Sequence, residues 1–198
     1  LSEKLGIKTI MNEGRRITST ENLDTVCMVY AGLINKKIVS KLQGNDCNAL
    51  GLSGSDANCI LAKKRPTNPV DYGWVGDVIA INSSTIKMFL SPGITPVFCA
   101  ISHDGNGQLL NTNADTIAAE IAIAMSKYAD TELIYCFEKK GVLADVSNEH
   151  SIIENINYKQ YLALKENNTI IEGMLPKMEN CFNALKNGVS QVVIGSSN

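Results

Sequence analysis

A nearly unbroken run of apolar residues extends from residue 117 to residue 125, and Glu120 is its one charged member. A helix that is apolar around most of its circumference is buried on most sides. The run therefore predicts a buried helix. The polar stretch Asn111-Thr112-Asn113-Ala114-Asp115 comes just before it, so two amides and a carboxylate are expected near the start of that helix.

A second long helix is predicted from about residue 21 to residue 43, because apolar residues recur there at three-to-four spacing. A Thr18-x-x-Glu21 capping box precedes this helix, and Gly44 is suited to end it. Residues 12–18 are mostly polar and predict a loop, whereas residues 1–6 are typical of the end of a helix.

The remaining chain alternates between strand-like and helix-like segments. Strands are predicted at 48–52, 59–62, 75–81, 94–101, 132–137 and 191–194, and helices at 83–90, 158–166 and 177–187. The run 94–101 is typical of a strand buried on both faces. This alternation favours an α/β fold with a largely parallel sheet flanked by helices.

Composition limits the classes of function. The 198 residues suffice for one large domain or two closely joined lobes. A net charge of −2 leaves no dominant basic face, so no nucleic-acid partner is expected. The short basic run Lys63-Lys64-Arg65-Pro66 is typical of a solvated hairpin tip. No segment has the apolar length of a membrane span, so no membrane partner is expected either.

The six cysteines include no Cys-x-x-Cys pair, and most of them lie in apolar runs. This pattern indicates reduced core residues of a cytoplasmic protein. His103 and His150 are far apart in sequence, and neither has ligand spacing near it. The sequence therefore predicts neither a disulfide framework nor a metal site.

The stretch from Asn111 to Asp115 has two interpretations. Asn and Asp side chains cap helix starts and suit the positive end of the helix dipole, so the stretch can be a helix N-terminus alone. In an extended segment, however, Asn111, Asn113 and Asp115 would point the same way. Three such side chains exceed the needs of one cap, and helix N-termini also hold anions. The stretch is therefore a candidate site.

Two cations, Arg16 and Lys177, lie in a predicted loop and at a predicted helix start. Arg16 is either a solvated loop arginine or a partner for a carboxylate. Lys177 is either a surface lysine or an anion-binding group, because a cation near a helix start opposes the dipole unless an anion is near. The chain contains no G-x-S-x-G elbow and no G-x-x-x-x-G-K-[ST] loop.

Five motifs occur in an order that resembles the amino-acid kinase family. They are Gly14-x-Arg16-Ile17-Thr18, Gly73-Trp74-Val75-Gly76, Asn111-Thr112-Asn113-Ala114-Asp115, Gly141-Val142-Leu143 and Gly173-Met174-Leu175-Pro176-Lys177. The resemblance covers nearly the whole chain and is strongest to the members that phosphorylate N-acetylglutamate in arginine biosynthesis. It implies a three-layer α/β/α sandwich with an open, mostly parallel sheet.

The resemblance also implies roles for single residues. Residues 1–130 would form the lobe that binds the acyl-amino acid. Within it, Arg16 matches the arginine that holds a substrate carboxylate, and Asn111 matches the amide that fixes the acylglutamate. Asp115 matches the aspartate that orients two lysines. Lys177 matches one of those lysines, which acts on the transferring phosphoryl group.

Residues 131–198 would form the nucleotide lobe of the same domain. The residues that match the family's nucleotide-lining segments are Glu138, Lys139, Lys140, Gly141, Val142, Leu143, Thr169, Ile170 and Ile171. The implied co-substrates are an N-acylglutamate and ATP with Mg²⁺. The Asn35-Lys36 region matches a part of relatives that packs against a partner subunit, so a homodimer built across the helix at 21–43 is expected.

The chain departs from the family in several places. The family's first strand, with a phosphate-binding lysine and a glycine pair, and a later glycine-rich loop are expected to precede Leu1. Phe137-Glu138 stands where relatives have a small hydroxyl residue and an aspartate. Trp74 is bulky beside the substrate lobe, so the acyl group is either acetyl or a larger one such as succinyl.

Two other functions are compatible with these features. The chain could be a kinase of the same fold that acts on another carboxylate, a carbamate or a phosphate. It could also be a non-catalytic binding or regulatory module of kinase descent.

Overall fold

The computed structural model describes residues 3–12, 15–145, 147–167 and 174–196. The chain divides into two compact units, Leu1–Ile117 and Ala118–Asn198. Each unit contains helices and parallel strand pairing among its described residues. The α/β class predicted from the alternation of segments is therefore confirmed.

The first unit contains eight strands among its described residues. They are β1 Ile10–Asn12, β2 Arg15–Ile17, β3 Ala49–Leu52, β4 Ile60–Lys64, β5 Val75–Ile81, β6 Thr95–Phe98, β7 Ile101–His103 and β8 Leu109–Thr112. Strands β1 and β2 pair antiparallel, and β3 and β6 pair parallel. The other four close into a small barrel in the order β4-β5-β8-β7. The polar segment 12–18 is thus largely part of a strand pair, and its prediction as a loop was wrong.

The helices of the first unit are α1 Thr20–Cys27, α2 Asn35–Gln43 and α3 Ser83–Leu90. A π-helical segment, Met28–Ile34, joins α1 to α2, so the long predicted helix is present but changes its winding in the middle. Helix α2 ends at Gly44, as the sequence indicated. Short 3₁₀ turns occur at Glu3–Leu5 and Asp56–Asn58.

Helix α1 is capped by Ser19, not by Thr18. The backbone N–H of Asn22 donates to Ser19 Oγ at 3.2 Å, and Ser19 Oγ donates to the Glu21 carboxylate at 2.8 Å. Thr18 is fully buried and forms a bridge to Gly73. The predicted capping box at Thr18 was therefore wrong: the cap is one residue later, at Ser19, and both Thr and Ser occur as caps.

The apolar run at 94–101 forms two strands that belong to different sheets. Strand β6 pairs with β3, and β7 pairs with β8 and β4. The chain changes sheets at Cys99-Ala100, and Ile101 beyond this point is 1% exposed. The residues between the two strands are also apolar, so the sequence pattern predicted one strand where the structure has two.

The second unit holds most of helix α4 Ala114–Met125, followed by β9 Glu132–Phe137, α5 Tyr158–Glu166, α6 Met174–Lys186 and β10 Gln191–Ser196. Strands β9 and β10 pair in parallel register. Its main hydrophobic cluster joins the end of α4 to β9 and α6 through the buried residues Ala119, Ala122, Leu133, Tyr135, Cys181, Ala184 and Val189. A smaller cluster contains Val142, Tyr161 and Met178.

No residue between 117 and 125 is exposed, which confirms the predicted buried helix. Burial raises the pKa of the Glu120 carboxyl group within it. The folded chain therefore favours the protonated carboxyl, and this contribution to stability is lost as pH rises from the unfolded pKa through the raised folded pKa.

We expect Glu120→Gln to raise the melting temperature at pH 7 and to change it little near pH 4, where a free glutamate is about half protonated or more. Thermal denaturation at both pH values measures this. Glu132→Gln, at an exposed position of β9, serves as the control and should raise the melting temperature at neither pH. An unchanged melting temperature for Glu120→Gln at pH 7 would contradict the assignment.

All six cysteines are free. Cys59 and Cys181 are buried, whereas Cys136 is exposed on β9, so the prediction of core positions was wrong for Cys136. Among the described residues, no helix is long and apolar enough to cross a bilayer.

Candidate functional site

The first unit brings together Thr18 and Asn111, which are far apart in sequence. Asn111 Nδ2 donates to Thr18 Oγ1 at 3.1 Å. The backbone N–H of Asn111 donates to the Trp74 carbonyl at 2.9 Å, and the Trp74 N–H donates to the Thr18 carbonyl at 2.8 Å. The chain segments at Thr18, Trp74 and Asn111 therefore hold one another, and the Asn111 amide is fixed in orientation.

The Gly73-Trp74-Val75-Gly76 motif has a steric explanation. Gly73 has a φ of +70°, and a Cβ there would overlap the carbonyl oxygen of Thr18. A Cβ on Gly76 would lie 2.8 Å from Cβ of Leu110. Both positions require glycine, because backbone and core side chains approach them too closely for any larger residue.

Arg16 lies in β2 opposite Met11 and is half-buried. Side chains alternate along an extended chain, so Arg16 and Thr18 leave the same face. Arg16 is therefore directed to the side of the strand on which the Thr18 hydroxyl meets Asn111. Its preceding motif residue, Gly14, lies outside the described residues.

At the start of helix α4, Asn113 and Asp115 have different positions. Asn113 Oδ1 accepts from the Thr116 N–H at 2.9 Å, and the Asn113 carbonyl accepts from the Ile117 N–H at 3.0 Å. Asn113 is thus the cap. Asp115 lies in the first turn and is half-buried. The stretch is thus a helix start, as one of its two interpretations held, and the Asp115 carboxylate is placed where the dipole favours negative charge.

Trp74 has a fixed side chain beside this cluster. Its indole Nε1 donates to Thr20 Oγ1 at 3.1 Å, and Lys64 Nζ lies 4.5 Å from the ring centroid. A cation over an indole face is attracted by the ring quadrupole. The bulky ring noted in the sequence is therefore held in place at the edge of the polar cluster.

In the second unit, the carboxyl ends of β9 and β10 lie side by side, with Phe137 opposite Ser196. Ligands of open α/β sheets bind outside the carboxyl ends of parallel strands. The loop that follows β9 contains the predicted nucleotide residues. Its first part, Glu138 to Lys140, is exposed, whereas Gly141 and Val142 are buried.

The buried part of this loop anchors it to the unit. Val142 is 7% exposed and packs with Tyr161 and Met178. A Cβ on Gly141 would lie 3.0 Å from Cγ2 of Ile152, and Leu143 forms a bridge with Ile152. The anchoring leaves the charged residues before Gly141 facing solvent at the strand end.

Lys139 Nζ lies 2.9 Å from Glu149 Oε1. Each side chain is hydrogen-bonded to the other and carries the opposite charge, and both interactions favour the charged forms. They raise the pKa of the Lys139 ammonium group and lower the pKa of the Glu149 carboxyl group. Both side chains are largely exposed, so the pair stabilises the fold little.

Lys177 lies near the start of the described part of α6. Its Nζ is 4.4 Å from the ring centroid of Tyr135, a buried residue of β9. The side chain is half-buried, so it is directed toward the sheet and the interpretation of Lys177 as a solvated surface lysine was wrong. The predicted residues Thr169, Ile170 and Ile171 lie outside the described residues, as does Gly173.

Sequence reasoning missed the role of Thr18, which it assigned to a helix cap. The available signal was its position within the Gly14-x-Arg16-Ile17-Thr18 motif, immediately before Ser19. Among the residues that the structure describes, no group of three or more His, Cys, Asp or Glu side chains could hold a metal ion.

Comparison with known proteins supplies independent information. A model of the amino acid kinase family matches residues 1–196. The acetylglutamate kinase of Cytophaga hutchinsonii is 52% identical over 195 residues, which cover 98% of this chain and 74% of that protein. The acetylglutamate kinase of Bacteroides fragilis is 49% identical over 194 residues, with coverage of 98% and 74%. The solved structure of smu.665 from Streptococcus mutans UA159 has a TM-score of 0.87 at 28% identity and covers 100% of this chain and 77% of that one.

Proposed function

Because the chain belongs to the amino acid kinase family, we propose that it transfers the γ-phosphoryl group of ATP to the side-chain carboxylate of N-acetylglutamate. The observation that carries this proposal is the identity of about half the residues, along 98% of the chain, with relatives named acetylglutamate kinase. The product is an acyl phosphate. Such activation of a side-chain carboxylate serves arginine biosynthesis, and the free cysteines suit a cytoplasmic enzyme.

The acylglutamate binds to the first unit. Arg16 offers a planar guanidinium that matches a carboxylate in a bidentate manner. Asn111 supplies an amide whose orientation is fixed by Thr18 and by the backbone of Trp74. The bulky indole of Trp74, hydrogen-bonded to Thr20, would limit the space for the acyl group, so acetyl is the default and a larger acyl such as succinyl is the alternative.

The nucleotide binds to the second unit, at the carboxyl ends of β9 and β10. Glu138 to Leu143 line it, together with Thr169 to Ile171. ATP enters as its magnesium complex, since Mg²⁺ is usually held by substrate phosphates and few protein carboxylates. When bound, the ion neutralises part of the phosphate charge.

The reaction requires positioning and charge neutralisation more than acid–base chemistry. A carboxylate is already a nucleophile, so no general base is needed for its in-line attack on the γ-phosphorus. The bond between that phosphorus and the leaving oxygen of ADP breaks as the new P–O bond forms. Lys177 stabilises the negative charge of the transferring group, and Asp115 orients the cations that do so.

A panel of acceptors tests this function. The full-length protein should release ADP with N-acetylglutamate or N-succinylglutamate, and free glutamate should fail if Asn111 holds the acyl amide. Turnover of a carbamate, a phosphate or another carboxylate in place of N-acylglutamates would identify a different kinase of the same fold. Absence of turnover with every acceptor, while ligands still bind, would favour a regulatory module.

The protein forms a homodimer across the segment Thr20–Gln43. None of the π-helical residues within it is buried, and Leu33, Ile34 and Ile38 are 54%, 44% and 43% exposed. A contiguous exposed apolar surface is typical of an interaction site. Together with the family resemblance of the Asn35-Lys36 region, these exposed side chains support a partner subunit at this place.

Sedimentation velocity at micromolar concentration measures this association. We expect a dimer for the full-length protein and a monomer for Leu33→Glu combined with Ile34→Glu, because two charges would be buried without partners at the interface. Met88→Glu, at a 61% exposed position of α3, is the control and should remain dimeric. A stable monomer of the unsubstituted protein would refute the proposal.

A further inference from the structure

The loop after β9 carries two adjacent, exposed lysines. Lys139 and Lys140 are adjacent and exposed, and they follow the carboxyl end of β9 directly after Glu138. The carbonyl of Lys140 would lie 3.7 Å from a Cβ built on Gly195 of β10. Both lysines are thus at the edge shared by the two parallel strands, where a nucleotide polyphosphate is expected.

A folded-back segment brings an acidic residue to this edge. The Ile153 N–H donates to the Val142 carbonyl at 2.8 Å, and the Ala144 N–H donates to the Ser151 carbonyl at 2.8 Å. These two bonds close the base of an excursion between residues 142 and 153. Residues 151–153 therefore lie beside residues 142–144.

The tip of this excursion is held by its own side chains. Ser151 Oγ lies 2.8 Å from the Asp145 carbonyl and 2.7 Å from the Asn148 carbonyl, and it accepts from the Asp145 N–H at 3.0 Å. Asp145 Oδ1 accepts from the Ser147 N–H at 2.9 Å. Glu149 follows Asn148 directly in this turn, and its carboxylate lies 2.9 Å from Lys139 Nζ.

We propose that Glu149 is the counter-ion of Lys139 in the nucleotide-free protein, and that Lys139 leaves it to bind a phosphate group of ATP or ADP. This inference rests on the nucleotide site of the proposed function. A lysine cannot make its strongest contacts to both anions at once, so the carboxylate competes with the phosphate. A polyphosphate carries more charge than one carboxylate and also meets Lys140, so it wins the competition.

Removing the competitor should tighten nucleotide binding. Exposed ion pairs are weak, so the expected effect of Glu149→Gln is about a two- to fivefold lower Kd for ATP and ADP, at most about 1 kcal/mol at 1.4 kcal/mol per tenfold. Lys139→Gln should raise both Kd values by about fivefold or more, since it removes a charge-assisted phosphate contact. Both side chains are exposed, so folding is expected to be intact.

Calorimetric titration of the full-length protein with ATP and with ADP, on the two single variants and their combination, forms a double-mutant cycle. We expect Glu149→Gln to have no effect in the Lys139→Gln background, because the competition acts only through Lys139. Equal effects of Glu149→Gln in both backgrounds would show a general field effect and overturn the proposal.

The ion pair between Lys165 and Glu179, at 2.8 Å and similarly exposed, provides a matched control in the same unit. Glu179→Gln should leave both nucleotide Kd values unchanged. If Glu149→Gln behaves like Glu179→Gln in a protein that binds ATP and phosphorylates N-acetylglutamate, this inference fails and the proposed function stands. If the unsubstituted protein binds neither nucleotide, both fail.

Discussion

Replacing Asp115 with asparagine is expected to lower kcat by about two orders of magnitude or more, equivalent to about 2.7 kcal/mol of activation barrier. Asparagine has nearly the same shape but no charge. If Asp115 orients Lys177 and a second lysine around the transferring phosphoryl group, the neutral variant leaves those cations to repel each other. They would then be misplaced at the moment when charge moves through the transition state.

Stability should respond differently, because the helix cap is another residue. Asn113 accepts the Thr116 N–H, so Asp115→Asn leaves the cap in place and removes the favourable interaction of the carboxylate with the helix dipole, about 0.3–1 kcal/mol. Asn113→Ala is the matched variant and should lower the free energy of unfolding by about 0.5–2 kcal/mol. Melting curves recorded beside the kinetics separate the two roles.

The combination of Asp115→Asn with Lys177→Ala completes the test. Residues that act as a unit show strongly non-additive effects on kcat, so the double variant should be little slower than the worse single variant. Multiplication of the two single effects would indicate independent roles. An Asp115→Asn enzyme with normal turnover would reduce Asp115 to a charge near a helix start.

Replacing Arg16 with alanine is expected to weaken acylglutamate binding by about 1.5–3 kcal/mol, the range for hydrogen bonds to charged groups. This corresponds to an increase of about ten- to more than a hundredfold in Kd at 1.4 kcal/mol per tenfold. The affinity for ATP should change little, because the nucleotide is assigned to the second unit. Titration of each ligand alone measures both values.

Arg16→Lys distinguishes the loss of a specific contact from a general loss of structure. Lysine retains the charge but cannot bind a carboxylate in the planar bidentate manner of a guanidinium, so it should restore acylglutamate binding only in part. Impaired ATP binding with normal acylglutamate binding would mean that the two ligands are placed in the wrong units.

Features that depend on local sequence were predictable. The alternation of strand and helix patterns, the buried helix near residues 117–125 and the end of α2 at Gly44 are all present in the structure. Each arises from hydrophobic periodicity or from the backbone preference of a single residue. The order of five short motifs was sufficient to indicate the family. Each motif is a contiguous segment, so it can be recognised without knowledge of the tertiary structure.

Features that depend on distant partners were not predictable from the same patterns. The apolar run at 94–101 does not reveal that β6 joins β3 while β7 joins β8, because both environments bury apolar side chains. Only the tertiary structure shows that Thr18 meets Asn111. By sequence, Thr18 and Ser19 are both possible caps, and their roles differ because Thr18 is buried and bonded to the segment at Gly73 and Trp74.

The candidate site divides in the same way. Sequence by itself determined which residue types are available, namely the guanidinium of Arg16, the amide of Asn111, the carboxylate of Asp115 and the ammonium of Lys177. Tertiary structure decided that Asn113 caps α4 in place of Asp115 and that Lys177 lies over Tyr135. The reason is physical: side-chain chemistry is encoded residue by residue, whereas orientation depends on neighbours that folding brings from elsewhere in the chain.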